Sequence, residues 1–431
     1  MLLDLPTTLG MQPFQPRAPW LTSDLQTLRD SLRPVVLPPD TGSPLLIPVG
    51  GSDQLLALLD LPLPAPDPGV GAVAQPCQSV PLGLVLLLHG LGGSSEREGL
   101  RRMGLTLQHA GFAVLRLNMR GAGPGRNLAR GTYAARCNSD VLPAIARARQ
   151  LAAELGAGPG IGIGLGATGR SGPLPLLGMG ISLGGTKLLN ALLADADERR
   201  AAGLALQGPL LDGLVCISSP LDLEACSDQI DRPRNHVYRS WLLRRLLQQT
   251  LADPFGVSPA ERAALEGRGP RGRLRSIRDF DAAITAPRWG YAHVEAYYRQ
   301  SSPMHGLLAE LQRLPTQNSE PERDPTAGGL DQPTPLPPTL IVHAADDPWV
   351  PVAASEQLAR LVQSADADGM PAKPQPLQVL ITAQGGHNGF HARCDHHPAV
   401  PGNWGDRLTA RWLRRLVGVA PEEVAPQRSG V

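Results

Sequence analysis

Apolar residues along this chain gather in short unbroken runs, each closing on glycine or a small polar group. The runs at 84–88, 112–118, 174–179, 214–217, 339–342 and 377–381 are of strand length. Unbroken runs of that length predict strands buried on both faces, as in a parallel sheet. Helical spacing fills the gaps between several of them, at 98–110, 140–155 and 352–362, the second capped by Asp140 or Ser139. Trp404, Leu408, Trp412, Leu413 and Leu416 line one face of a further helix, with arginines on the other side. Alternating strand and helix predicts an α/β fold with a mostly parallel central sheet flanked by helices.

Two stretches depart from the alternation. Residues 1–80 are Pro-rich and read as an N-terminal extension, with a turn and an edge strand within 47–59. Residues 221–303 carry only helical patterns, with Tyr238, Trp241, Leu242 and Leu246 on one stripe. An all-helical insertion between two strands predicts a cap over the sheet. The domain reading is therefore 81–220 and 304–418 as the two parts of the core, 221–303 as the cap, and 419–431 as a disordered tail. The Pro-rich loop 314–338 and the Gly-rich insertion 156–173 punctuate the core.

One strand end stands out. Gly180-Ile181-Ser182-Leu183-Gly184 follows an apolar run and precedes a helix-forming segment. G-x-S-x-G in that context marks a sharp strand-to-helix turn that lifts a serine hydroxyl above the sheet edge. A neutral serine is a weak nucleophile and needs a base, which in turn needs an acid to orient it. Asp347 follows the next-to-last strand and His387 the last, so the ends of three strands supply the set. Charge developing on a substrate oxygen needs N–H donors. Leu183 N–H follows the nucleophile. Leu91 N–H, in His89-Gly90-Leu91-Gly92, is the expected second donor.

Composition narrows the field. Lys+Arg 40 against Asp+Glu 39 leaves a net charge of +1, so no overall field favours nucleic acid or an anionic membrane. The five cysteines show no paired spacing, which favours a reducing compartment. No apolar run approaches the ~18 residues of a membrane span, and the first residues do not read as a signal peptide. A cytoplasmic location is the expectation.

At this level the chain resembles the YheT-like α/β-hydrolases. The resemblance rests on Asp24-Leu25-Gln26-Thr27, on residues 89–96, on Asn118-Met119-Arg120-Gly121 and on 178–185. It continues through Ser219-Pro220-Leu221-Asp222-Leu223, Arg278-Asp279-Phe280-Asp281 with Ile284-Thr285-Ala286, and Tyr297-Tyr298-Arg299-Gln300. Asp346-Asp347-Pro348 and Gly385-Gly386-His387 complete it. The resemblance implies an α/β-hydrolase fold with a helical cap and a serine hydrolase of carboxylic esters, acting on short-chain esters or acylglycerols. It also implies a triad of Ser182, Asp347 and His387. Such chemistry calls for no metal or organic cofactor, and the expected partner is a small ester or lipid. Residues 135–140 depart from the family's His-Ser-Gly pattern, and the N-terminal membrane anchor of some relatives is not expected here.

The same residues admit rival readings. Peptidase, thioesterase or lactonase chemistry uses an identical triad, and a non-catalytic binding protein on this scaffold is the alternative of a different class. Asp346 competes with Asp347 for the acid. His387, His391, Cys394, His396 and His397 crowd one region, but their spacing fits no common metal-ligand pattern. His89 reads as a structural loop residue and His343 as a buried core histidine. Gly164-Leu165-Gly166-Ala167-Thr168-Gly169 matches a dinucleotide fingerprint literally, without the strand and helix that motif needs. Arg268, Arg271, Arg273, Arg275 and Arg278 read as a solvated basic run, with peripheral membrane contact left open.

Overall fold

The computed structural model describes residues 4–63, 80–157, 172–204, 208–270, 272–313, 336–366, 376–395 and 402–419. Eight strands in these residues form one sheet: β1 (Ser43–Pro48), β2 (Gln54–Asp60), β3 (Leu84–Leu88), β4 (Ala113–Leu117), β5 (Leu176–Ile181), β6 (Gly213–Ile217), β7 (Thr339–Ala344) and β8 (Leu377–Thr382). Their spatial order is β1-β2-β4-β3-β5-β6-β7-β8. The pairs from β4 to β8 are parallel, while β1–β2 and β2–β4 are antiparallel.

The apolar runs become strands because the sheet is covered on both sides. Leu84, Leu86 and Leu88 of β3 join one core cluster, and Val85 and Leu87 join the other. Such alternation follows from side chains pointing to opposite faces at successive positions. The Pro-rich N-terminal stretch contributes the β1–β2 hairpin, with β1 at the sheet's edge.

Between β6 and β7 the chain leaves the sheet as helices, among them Leu223–Asp231, His236–Leu251, Pro259–Leu265, Ile277–Phe280 and Val294–Ser301. They enclose an apolar cluster of their own around Leu242, Leu243, Ile277 and Phe280. The expected stripe holds for Tyr238 and Leu242, which are buried, but fails at Trp241, which is 47% exposed. Its ring instead carries the Arg245 guanidinium, 5.2 Å from the centroid.

The helix Asn138–Ala157 starts earlier than expected and takes in both candidate caps, Ser139 and Asp140. The Asp140 carboxylate binds Arg120 through Nη2 and Nε, at 2.6 and 3.0 Å. Arg278 is likewise no free member of a basic run, since it pairs with Glu224 and Glu295. Residues 164–169 and 419–431, apart from 419, lie outside the described residues, as do most of the two insertions at 156–173 and 314–338.

Candidate active site

Strand order reverses between β3 and β5, and an open α/β sheet offers a binding crevice at the carboxyl end of such a switch. His89-Gly90-Leu91 leaves β3 there, and Ser182 leaves β5 beside it. The turn at Ser182 is forced and tight. Ser182 adopts φ 53° and ψ −127°, a region that strains any residue with a side chain. A Cβ on Gly180 would lie 2.2 Å from the Gly185 nitrogen, and one on Gly184 would lie 2.3 Å from the Leu88 oxygen. Only glycine lets the elbow helix Leu183–Leu192 pass this close to β5 and β3.

Three side chains from separate loops meet at this turn. His387 Nε2 stands 3.0 Å from Ser182 Oγ, and His387 Nδ1 stands 2.9 Å from Asp347 Oδ2. A carboxylate only accepts, so Nδ1 carries the ring proton and Nε2 is left as an acceptor for the serine hydroxyl. The other Asp347 oxygen, Oδ1, accepts the backbone N–H groups of Trp349 and Val350 at 2.8 and 3.0 Å. Burial pushes the Asp347 carboxyl up, but the charge and hydrogen bond of His387 outweigh it and hold the group below its ordinary value. All three residues are buried.

The neighbouring candidates have other partners. Asp346 Oδ1 accepts the Gly386 N–H at 2.9 Å. His343 is buried between Ser355 Oγ and the Val350 carbonyl, at 2.7 and 3.1 Å. His391 faces Asp30 at 3.2 Å, and Cys394 is exposed. Among the described residues no group of three His, Cys, Asp or Glu is arranged to hold a metal ion; His396 and His397 lie outside them.

Leu91 and Leu183 both line the cavity at Ser182, and Leu183 opens the elbow helix, where an N–H has no partner within the helix. The loop carrying Leu91 is braced from below. His89 Nδ1–H donates to the Gly90 carbonyl at 2.8 Å, and His89 Nε2 accepts the Met119 N–H at 3.2 Å. Burial drives its imidazole down to about 3, which keeps that tautomer neutral. Tyr133 Oη accepts the Gly92 N–H at 2.7 Å.

Sequence reasoning missed four contributors. Thr27 Oγ1 accepts the His387 N–H at 2.9 Å, and Gln26 binds the backbone of His391 through both its oxygen and its nitrogen. The run 24–27 carried the resemblance, yet nothing in it announced a role at the histidine loop. The Trp349 ring stacks on His387 with centroids 4.5 Å apart. Lys187 is wholly buried in the elbow helix, its ammonium 4.1 Å from the centre of the Tyr133 ring. Burial lowers it to about 8.

Above the serine lies a cavity of about 340 Å³. Apolar side chains such as Leu223, Ile230, Leu242, Ile277 and Phe280 form much of its wall. A hydroxyl, an imidazole and an ionised carboxylate in line at such a cavity can carry out nucleophilic displacement at a carbonyl.

The family model described as the alpha/beta hydrolase fold matches residues 175–393. "Putative esterase YheT" of Escherichia coli (strain K12) is 29% identical over 247 residues, covering 56% of each chain. "Phospholipase ABHD3" of Mus musculus is 24% identical over 307 residues, which is 71% of this chain and 58% of that protein. The chain thus spans a little over half the length of these relatives. A solved monoglyceride lipase variant from Saccharomyces cerevisiae aligns at 16% identity and a TM-score of 0.46, over 89% of this chain and 98% of its own. The alignment with the bacterial protein bears out the resemblance drawn from the short motifs. No helix among the described residues is long and apolar enough to cross a membrane. With the family model covering just over half of its 431 residues, the chain belongs to the α/β-hydrolase fold family.

Proposed function

We propose that this protein is a serine hydrolase of carboxylic esters that works through an acyl-enzyme. The observation that carries the reading is the unbroken hydrogen-bonded line from Ser182 Oγ through His387 to Asp347. Ser182 Oγ attacks the ester carbonyl carbon while His387 Nε2 takes the hydroxyl proton. Asp347 holds the ring in the required tautomer and offsets the charge of the imidazolium. The carbonyl oxygen, now negative, is held by the N–H groups of Leu91 and Leu183. As the ester C–O bond breaks, His387 returns its proton to the leaving alcohol. Water then attacks the acyl carbon, gives a proton to His387, and the serine leaves with that proton as the acid is released. In this reading the helices between β6 and β7 act as a cap, and their apolar wall favours an acyl or alcohol part of low polarity.

The test is a panel of short-chain esters and acylglycerols assayed on wild type and on Ser182→Ala, with a fluorophosphonate probe in parallel. Hydrolysis and labelling by wild type, both lost in the variant, is the expected result. Ester hydrolysis that persists undiminished in Ser182→Ala overturns the assignment. Labelling without hydrolysis of any ester would redirect the reading to amides, thioesters or lactones.

A further inference from the structure

A carboxyl stands in the wall of the same cavity, and among the described residues no cation pairs with it. Asp281 lies on the stretch between the helices Ile277–Phe280 and Val294–Ser301, and it opens a π-helical turn, Asp281–Thr285. Such turns are rare and recur at functional sites. Its Oδ2 accepts the Tyr298 hydroxyl at 3.0 Å, and the Thr285 hydroxyl supplies a second hydrogen bond. The Tyr298 oxygen is also 3.1 Å from Ser227 Oγ. A phenol has one proton, and the carboxylate claims it, so Ser227 is the donor to Tyr298. Two donors leave acceptor capacity on a carboxylate that has about four lone-pair sites.

What Asp281 lacks is a counter-charge. Among the described residues it forms no ion pair with Lys, Arg or His; Arg278, on the Tyr298 ring at 5.4 Å from the centroid, is engaged with Glu224 and Glu295. Burial raises Asp281 to about 6, which still leaves it mainly ionised at neutral pH. A carboxylate kept in an apolar cavity is costly when nothing compensates it. Beside it, Tyr297 and Tyr298 line the cavity with their ring centroids 5.5 Å apart. Aromatic faces next to a carboxylate suit a positively charged nitrogen, above all an alkylated one that water solvates weakly.

We propose that Asp281, with Tyr297 and Tyr298, forms a subsite for a cationic nitrogen carried by the ester substrate. The inference rests on the ester-hydrolase reading and adds to it the charge class of the substrate. A substrate bearing a trimethylammonium group places that charge against the carboxylate, whereas a tert-butyl group of equal shape leaves the carboxylate without a partner.

The experiment compares such pairs. Butyrate esters of choline and of 3,3-dimethylbutanol place the cation or its isostere in the alcohol. Ethyl esters of 4-(trimethylammonio)butyric acid and of 5,5-dimethylhexanoic acid place it in the acyl part. In wild type, kcat/KM for the cationic member of at least one pair should exceed that of its isostere by about tenfold. In Asp281→Asn that ratio should fall toward one; a ratio taken within one protein sample is unaffected by any loss of folded enzyme. A wild-type ratio of one or less in both pairs overturns the inference without needing any variant. So does a tenfold ratio that survives in Asp281→Asn. In either case, Ser182-dependent hydrolysis of the neutral esters would leave the ester reading standing. Wild type that hydrolyses no member of either pair overturns the inference, and the panel of short-chain esters and acylglycerols then decides the ester reading separately.

Discussion

The backbone N–H of His387 donates to Thr27 Oγ1 at 2.9 Å, across a sequence separation of 360 residues. The side chain of Thr27 is itself fixed, donating to the Ser23 carbonyl one turn back in the helix Ser23–Leu32. The N-terminal helix therefore sets the height of the histidine loop over the serine. Thr27→Val keeps the shape and leaves that N–H without its acceptor. We expect kcat on an ester to drop about tenfold with KM little changed. Thr27→Ser should restore most of it. A Thr27→Val enzyme with wild-type kcat would show that the loop holds its place unaided.

Asp347→Asn tests the orienting acid. The amide would present either an N–H to a ring nitrogen that needs an acceptor, or an oxygen with no charge to balance an imidazolium. We expect kcat to fall by a factor on the order of 10³–10⁴, with a folded protein. His387 holds the wild-type carboxyl below its ordinary value, so Asp347 remains ionised throughout neutral and mildly acidic pH. Asp347 should therefore contribute nothing to any loss of activity between pH 8 and pH 5. Asp346→Asn, where the native carboxylate accepts backbone N–H groups of the histidine loop such as that of Gly386, should cost far less. Equal losses in the two variants would undo the assignment of the acid.

Gly184→Ala probes the packing of the elbow. The added methyl would meet the Leu88 carbonyl oxygen at 2.3 Å, and that atom belongs to the backbone of β3. The helix must then shift, and the hydroxyl of Ser182 with it. A destabilisation of about 3 kcal/mol or more is expected, read as the urea midpoint. A variant with unchanged stability would mean that helix and strand can separate freely.

Lys187 should weaken the fold at neutral pH. Below about pH 8 both folded and unfolded chains carry its proton, and the fold bears the full cost of burying an ammonium. From about 8 up to the ordinary 10.5, only the unfolded chain holds the proton, so this residue's contribution improves as pH rises through that window. Lys187→Met should add about 1–3 kcal/mol to the unfolding free energy at pH 7, the ring face of Tyr133 offsetting part of the cost in wild type. The gain should shrink near pH 10. Urea unfolding at both values decides it, and a loss of stability at pH 7 would count against the account.

Much of the architecture could be read from local pattern. The runs at 84–88 and 214–217 are buried on both faces, and doubly buried strands have no competing helical reading once glycine and polar residues bound them. The elbow was legible because its steric demand writes glycine at Gly180 and Gly184. Trp241 misled, because an apolar residue one turn from Tyr238 satisfies the helical period whether it packs inward or under an arginine. Asp140 misled for a similar reason: a carboxylate near a helix start suits a cap, and only the fold brings Arg120 to claim it. The roles of Thr27 and Lys187 depend on distance in space, which no local window of residues contains.

The stacked pair Trp349 and His387 gives the protein an optical handle. An indole lying flat on an imidazole feels the ring's charge directly, and an imidazolium quenches indole emission more strongly than the neutral ring does. Fluorescence from Trp349, isolated by comparison with Trp349→Phe, would thus follow the proton on His387 in the resting protein, with no substrate and no turnover.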